Sequence, residues 1–431
     1  MNHPRGKVKR VLESVAATSP TMLRRRNADV VLRFAWSEQA FTASDLIAHT
    51  GLTRSTVIGV CDELVDRGWL AELDDARSVG EYSKGRPARR YALRADAASV
   101  VGVDAGRHSV TASAADLRGT VLGTASRAIT DDADGEERRA VVRAVIDDAV
   151  AAAGLADVGV RAICVGVPAP TDATGASPRG TDGFWSLSNP DFVGLLADER
   201  RLALVDNDAN LAAIAEGAER LGEGRGVESF ITLLSGERIG GGIVVDGHLL
   251  RGVRGGAGEM RVLDYVDGVG SADGAAALIR EWSREAVATG SVPATSVLRH
   301  AGLPEFDAQD VLDAAGAGDA AAAAVTQRLA ERFARICVVL GELLDVQRVV
   351  IAGAMAEPLE AVLAAARVSI AGYDDPTAPE LVGSRLGGGV VSLGAVRRAL
   401  DAVRESALDL ELASLAGDRA TSTPERSPAS L

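Results

Sequence analysis

The stretch FITLLSGERIGGGIVVDG, residues 230–247, decides the fold. Two apolar runs of strand character flank a glycine-rich turn, and an Asp-Gly pair ends the second run. Backbone cradles for phosphate are built this way, because glycines let N–H groups come close to the anion. Glu237 and Arg238 occupy the tip of the turn, where phosphate oxygens would have to sit. At about 4 Å and an effective dielectric of about 20, one carboxylate–phosphate pair costs about 4 kcal/mol. A carboxylate at the tip is at odds with a phosphate cradle.

Working outward, VVGVDAGRHSVTASAADLRG (100–119) repeats the pattern of strand, polar glycine-containing turn, strand and second turn. Each copy begins one half of the segment 99–405, which predicts two similar α/β lobes with a ligand cleft between them. VRAICVGVPAPTDATG (160–175) is a buried strand entering a Pro-rich loop. LALVDNDANLAAIAEGAERLG (202–222) is a strand, a polar turn and a helix. Helical spacing is strong over 136–153, 274–289 and 309–346. VQRVVIAGAMAEPLEAVLAAA (346–366) is a strand, turn and helix, and LGGGVVSLGAVRRALDAVRE (386–405) is read as a last strand and helix.

The N-terminal part has another texture. PTMLRRRNADVVLRFAW (20–36) is helical, and FTASDLIAHTGLTRSTVIGVCDELVDRGWL (41–70) divides into two helices. Thr42 or Ser44 caps the first, Gly51 ends it, Thr53 caps the second and Gly68 stops it. GWLAEL and GRPARRYALR pair as strands across a polar loop, giving a winged helix-turn-helix. Thr53, Arg54, Ser55 and Thr56, with Gly59 further along, lie opposite the apolar face Val57, Val60, Cys61 and Leu64. They are expected to meet duplex DNA in the major groove, with Arg86, Arg89 and Arg90 of the wing on the backbone or minor groove.

Charge agrees with this division. The chain of 431 residues carries a net charge of −14, yet residues 1–98 hold 16 Lys and Arg against 12 Asp and Glu, leaving 30 against 48 in the remainder. A basic module on an acidic body points to nucleic acid. Cys61, Cys164 and Cys337 lie far apart without a paired spacing, which supports neither a zinc site nor a disulfide framework. No apolar run is long enough to span a membrane and the N-terminus lacks a signal-peptide core, so a cytoplasmic protein is expected.

Taken in order, LRRRNADVVLR, LTRSTVIGVCDEL, GRPARRYAL, VGVDAG, GVPAPTDATG, VDNDANLAAIAE, RIGGGIVVDGHLLRG, GGAGEM and VVIAG resemble the ROK family (repressor, open reading frame, kinase). The closest likeness is to its repressor branch, within the actin-like sugar kinase superfamily. The resemblance implies an α/β chain: a winged helix-turn-helix followed by a two-lobed actin-like ATPase/ribonuclease H-like sugar kinase-type fold. The expected divisions are a flexible basic arm (1–19), the DNA-binding domain (20–97), a first lobe (98–205), a second lobe (206–405) and a flexible tail (406–431). Where the family's kinases have Gly-Thr in the first phosphate loop, this chain has Arg107-His108. Where they have Thr-Gly in the second, it has Glu237-Arg238.

The resemblance assigns sugar hydroxyls to Asn207, Asp208 and Glu259, Asp208 matching the kinase base, and Asn189 is a further candidate amide. The family's zinc-ligating His falls at Val262, and its cysteine loop is replaced by DYVDGVGSADG (264–274), so no zinc and no ATP are expected. Arg107, Glu237 and Arg238 are expected to pair with one another across an empty nucleotide cleft. The reading is a homodimeric or larger repressor of carbohydrate-related genes that binds operator DNA and a small sugar-like effector. The alternatives are an ATP-dependent sugar kinase retaining a DNA-binding domain, and a regulator with a vestigial cleft.

Overall fold

The computed structural model describes residues 19–73, 88–179, 183–290, 292–300 and 307–412. They form two units, one holding the N-terminal part through Ala97 together with the chain from Ser406, the other Ala98–Glu405.

In the first unit, Pro20 opens helix α1 (Pro20–Ser37), where its missing N–H leaves nothing unsatisfied, and Ser19 caps it. A two-residue strand β1 (Phe41–Thr42) leads into α2 (Ala43–Thr50). Thr42 and Asp45 form a reciprocal capping box there, and Gly51 ends the helix at φ +70°, a conformation that favours glycine. Helix α3 (Arg54–Asp66) is capped by Thr53 and buries Val57, Val60, Cys61 and Leu64. Strands β2 (Leu70–Leu73) and β3 (Arg90–Leu93) join β1 in an antiparallel sheet of order β1-β3-β2. Strand β1 is too short to show periodicity, and the sequence reading omits it. Phe41, Trp69 and Tyr91 are buried and form the aromatic centre of this unit.

The mobile tail expected from residue 406 does not hold for 406–412. Ala407 is buried, the Leu408 carbonyl accepts from Arg67 at 2.8 Å, and Asp409 pairs with Arg25. An apolar side chain and two guanidinium partners hold what its Ser/Thr/Pro-rich continuation does not suggest.

The second unit contains the two copies seen in the sequence. Strands β4 (Ser99–Ala105), β5 (Ser109–Asp116) and β6 (Val121–Ala128) form an antiparallel meander, followed by α4 (Gly135–Ala152) and β7 (Val160–Val167). Short helices α5 (Phe184–Ser188) and α6 (Phe192–Leu196) precede β8 (Leu202–Asn207) and α7 (Asp208–Ala218). The second copy runs β9 (Phe230–Ser235), β10 (Ile239–Val245), β11 (His248–Leu250), then helices α8 (Ala275–Ala288), α9 (Val297–His300), α10 (Ala308–Gly316) and α11 (Ala320–Leu344). It closes with β12 (Arg348–Ala352), α12 (Glu360–Ala371), β13 (Glu380–Gly383) and α13 (Val390–Ser406). The sheets have orders β6-β5-β4-β7-β8 and β11-β10-β9-β12-β13. In both, an antiparallel hairpin pair meets two parallel strands at the central strand.

Two expectations change. The helical stretch 309–346 is two helices, broken by Gly318 at φ +90° and restarted by the Asp319 cap. VVSLG (390–394) is the first part of α13 and not a strand, so burial overrides the β-preference of its valines. Helix α13 packs on the first sheet, although its sequence position placed it in the second lobe. A methyl at Gly102 would lie 2.3 Å from the Ser392 carbonyl. Helix α7 packs on the second sheet, where a methyl at Gly242 would lie 2.2 Å from the Ala209 carbonyl. The helices cross where Gly394 meets Leu211. This close stacking sets the C-terminal ends of β4 and β8 beside the β9–β10 turn.

Candidate functional site

Three carboxylates converge at these strand ends. Asp104 ends β4, and burial pushes its carboxyl up to about 7. Asp208 begins α7 and accepts from the Ala209 N–H at 2.7 Å. Burial first, then the charge of Asp104 and also that of Glu259, push Asp208 up to about 7. Glu259 is bridged to Gly240 of β10, and a methyl at Gly240 would lie 3.8 Å from Asp208 Oδ1. Burial raises Glu259 too, against the opposing charges of Arg238 and Arg261. The carboxylates can accept from hydroxyl groups, as a polyol requires.

Asn207 is placed beside them but is partly committed to the fold. Its Oδ1 caps α7 by accepting from the Asn210 N–H at 3.1 Å, and its amide donates to the Ala169 carbonyl at 3.3 Å. Asn189 is tied elsewhere. Its Nδ2 donates to the Gly175 carbonyl and to Ser177 Oγ, both at 2.9 Å, which fixes the loop after β7. The sequence reading missed Asp206, buried beneath Asn207, which binds Arg251 at 2.5 Å. The signal was an acid one residue from the motif, with a partner in the LLRG stretch.

In both glycine-containing turns the tip side chains pair with carboxylates or arginines of the same lobe. In the first, Arg107 and His108 share Asp131, at 3.1 and 3.0 Å, and Arg138 of α4 donates to the Gly106 and Arg107 carbonyls. In the second, Glu237 binds Arg280 of α8, and Arg238 lies 3.4 Å from Asp273. The expected pairing of Arg107, Glu237 and Arg238 with one another is therefore wrong: each has a nearer partner on its own lobe. The turn is also sewn to the start of α8, with Ala276 N–H on the Gly236 carbonyl and Gly274 N–H on that of Glu237.

Loop 264–274 is held by guanidinium groups. Arg332 of α11 donates to the Val269 and Ser271 carbonyls, and Arg335 to that of Gly268. Among the described residues no cluster of three His, Cys, Asp or Glu has metal-site geometry.

In the first unit, Thr53 Oγ1 contacts Ser55 Oγ and Thr56 Oγ1 at the head of α3, and Arg54 is exposed with no side-chain partner among the described residues. Arg89 is not free as expected. It binds Glu72 through two nitrogens, pairs with Asp62 at 2.8 Å and lies over the Tyr91 ring. Arg90 is half-buried in β3, and Arg86 lies outside the described residues.

A two-sheet α/β unit with carboxylates at its strand ends and paired glycine-containing turns has the layout of a sugar-kinase-type fold. Residues 100–265 match the ROK family model, and the chain contains a ROK family domain. A xylose repressor of Caldicellulosiruptor bescii is 25% identical over 56% of this chain and 59% of its own. A glucokinase of Halalkalibacterium halodurans is 32% identical over 38% of this chain and 52% of its own. The chain thus spans little more than half the length of these curated relatives. Among solved structures, a ROK family transcriptional regulator, a homologue of the E. coli MLC protein, matches with a TM-score of 0.67. The match covers 88% of this chain and 96% of that one at 20% identity. The fold of the second unit is the actin-like ROK kinase type.

Proposed function

We propose that the chain is a ligand-responsive transcriptional repressor acting in the cytoplasm. Its first unit is read as a winged helix-turn-helix that binds duplex operator DNA, α3 entering the major groove. The second unit binds a small carbohydrate at Asp208, Glu259 and the free edge of Asn207. Two copies would match a two-fold symmetric operator, and closure of the lobes around the ligand would change the spacing of the DNA-binding units. The ligand must bind the two closure states unequally for this switch to work. No helix among the described residues is long and apolar enough to cross a membrane.

The observation that carries the reading is the self-pairing of both phosphate turns. Arg107, Arg238 and Arg280 each face a carboxylate of the chain, which disfavours a triphosphate at these turns. The remaining carboxylates Asp104, Asp208 and Glu259 favour a neutral polyol over an anionic ligand. The likeness to a xylose repressor supports a regulator. The test combines a gel shift on the DNA upstream of the protein's own gene with a thermal-shift panel of sugars and sugar phosphates. A shifted duplex released by an unphosphorylated sugar is expected; no shift at moderate salt would overturn the reading.

One observation favours a second reading, an ATP-dependent sugar kinase. Asp208, raised to about 7, suits a general base for a sugar hydroxyl, and a relative is a glucokinase. ADP release over a panel of hexoses, abolished by Asp208→Asn, would establish it.

A further inference from the structure

We propose that Gly59 is the point where DNA comes closest to α3. The proposal rests on the DNA-binding reading above and names the residue that governs its fit. Gly59 lies in the middle of a 13-residue helix, on its exposed side. Its φ is not positive, and a methyl group built there meets no atom of the described residues within 4 Å. The glycine therefore serves neither a left-handed turn nor packing against the described residues. Glycine in a helix interior is unfavourable relative to alanine. The open space above it fits a surface supplied from outside.

The neighbours show which surface. Ser55 lies one turn before Gly59, on the same face and exposed, and Arg54 beside it is unpartnered among the described residues. The helix N-terminus adds partial positive charge there. Beyond Gly59 the solvent side turns acidic. Asp62 is taken by Arg89, Glu63 lies 3.5 Å from Arg24, and Asp66 is exposed. These carboxylates would oppose phosphate, so the helix enters the groove by its first turns and leaves it after Gly59. With no side chain at 59, the helix backbone settles deep enough for Arg54 and Ser55 to reach base edges. A side chain there would lift the helix and weaken both contacts.

The experiment uses the full chain and duplexes enriched by the wild-type protein from a random-sequence library. Gly59→Ala is expected to raise Tm by a few degrees and to weaken binding to the enriched duplex at least tenfold. Gly59→Gln should weaken it further, while binding of either variant to an unselected duplex stays within twofold of wild type. Unchanged affinity of Gly59→Ala for the enriched duplex would overturn the proposal. A lowered Tm would overturn its premise that nothing in the chain fills the space. Failure of the wild type to enrich any sequence would instead remove the DNA-binding reading, a result separable from both.

Discussion

Asp208 is a residue whose protonation the fold controls. Its carboxyl is raised to about 7 by burial and by Asp104, whereas in the unfolded chain it titrates near 4. The folded chain thus holds a proton that the unfolded chain has released between these values. This contribution to stability is complete below about pH 4 and is lost as pH rises through about 7. Asp208→Asn is expected to raise Tm by several degrees at pH 8 and by much less at pH 5. Equal shifts at both pH values in thermal unfolding would mean that Asp208 is ionised throughout. Asn207→Ala removes the cap of α7 and should cost about 1 kcal/mol in chemical denaturation. Asn207 and Asp208 were legible through the resemblance of VDNDANLAAIAE to the family motif, at the junction of a strand and a helix. Asp131, Asp273 and Arg280 were not, because each reaches its partner from a distant element. Asn189 was read as a candidate ligand amide, but its amide bonds depend on where the loop after β7 folds back.

At the level of elements, the two turns after β4 and β9 are scaffolds with altered tips. Replacing Arg107-His108 by Gly-Thr and Glu237-Arg238 by Thr-Gly is expected to open both turns. Calorimetry should then show tighter binding of an ATP analogue than by the wild type. Equal binding by the wild type would contradict the closed turns. The loop 264–274 makes a complementary case. Arg332→Met deletes two buried guanidinium–carbonyl bonds and should speed amide hydrogen exchange over residues 266–273, with a stability loss of about 1–3 kcal/mol. Unchanged exchange would show that the loop is held by its own turns. The sequence displayed the strands, the caps and the glycine stops of the first unit. It did not display β1, whose two residues have no period, nor the helical start of α13. Val390 and Val391 favour strands by themselves, and only packing against β4 and β7 turns them into helix.

At the level of the molecule, the two sheets repeat one topology, as the echo between residues 100–119 and 230–252 suggested, while the first unit draws on both ends of the chain. A chain ending at residue 405 would lose Ala407 from the core, the Leu408 carbonyl that binds Arg67, and Asp409 beside Arg25. Faster hydrogen exchange in α1 and α3 is expected, with weaker binding to the enriched duplex. Exchange identical to that of the full chain would show that residues 406–412 contribute nothing. This arrangement also bears on the order of events during synthesis. The ribosome makes α1, α2 and α3 first, yet the segment that completes their core emerges more than 300 residues later. The first unit therefore reaches its final form only after residues 98–405 have been made. A chain must be made through residues 406–412 before helices α1 and α3 are fully supported.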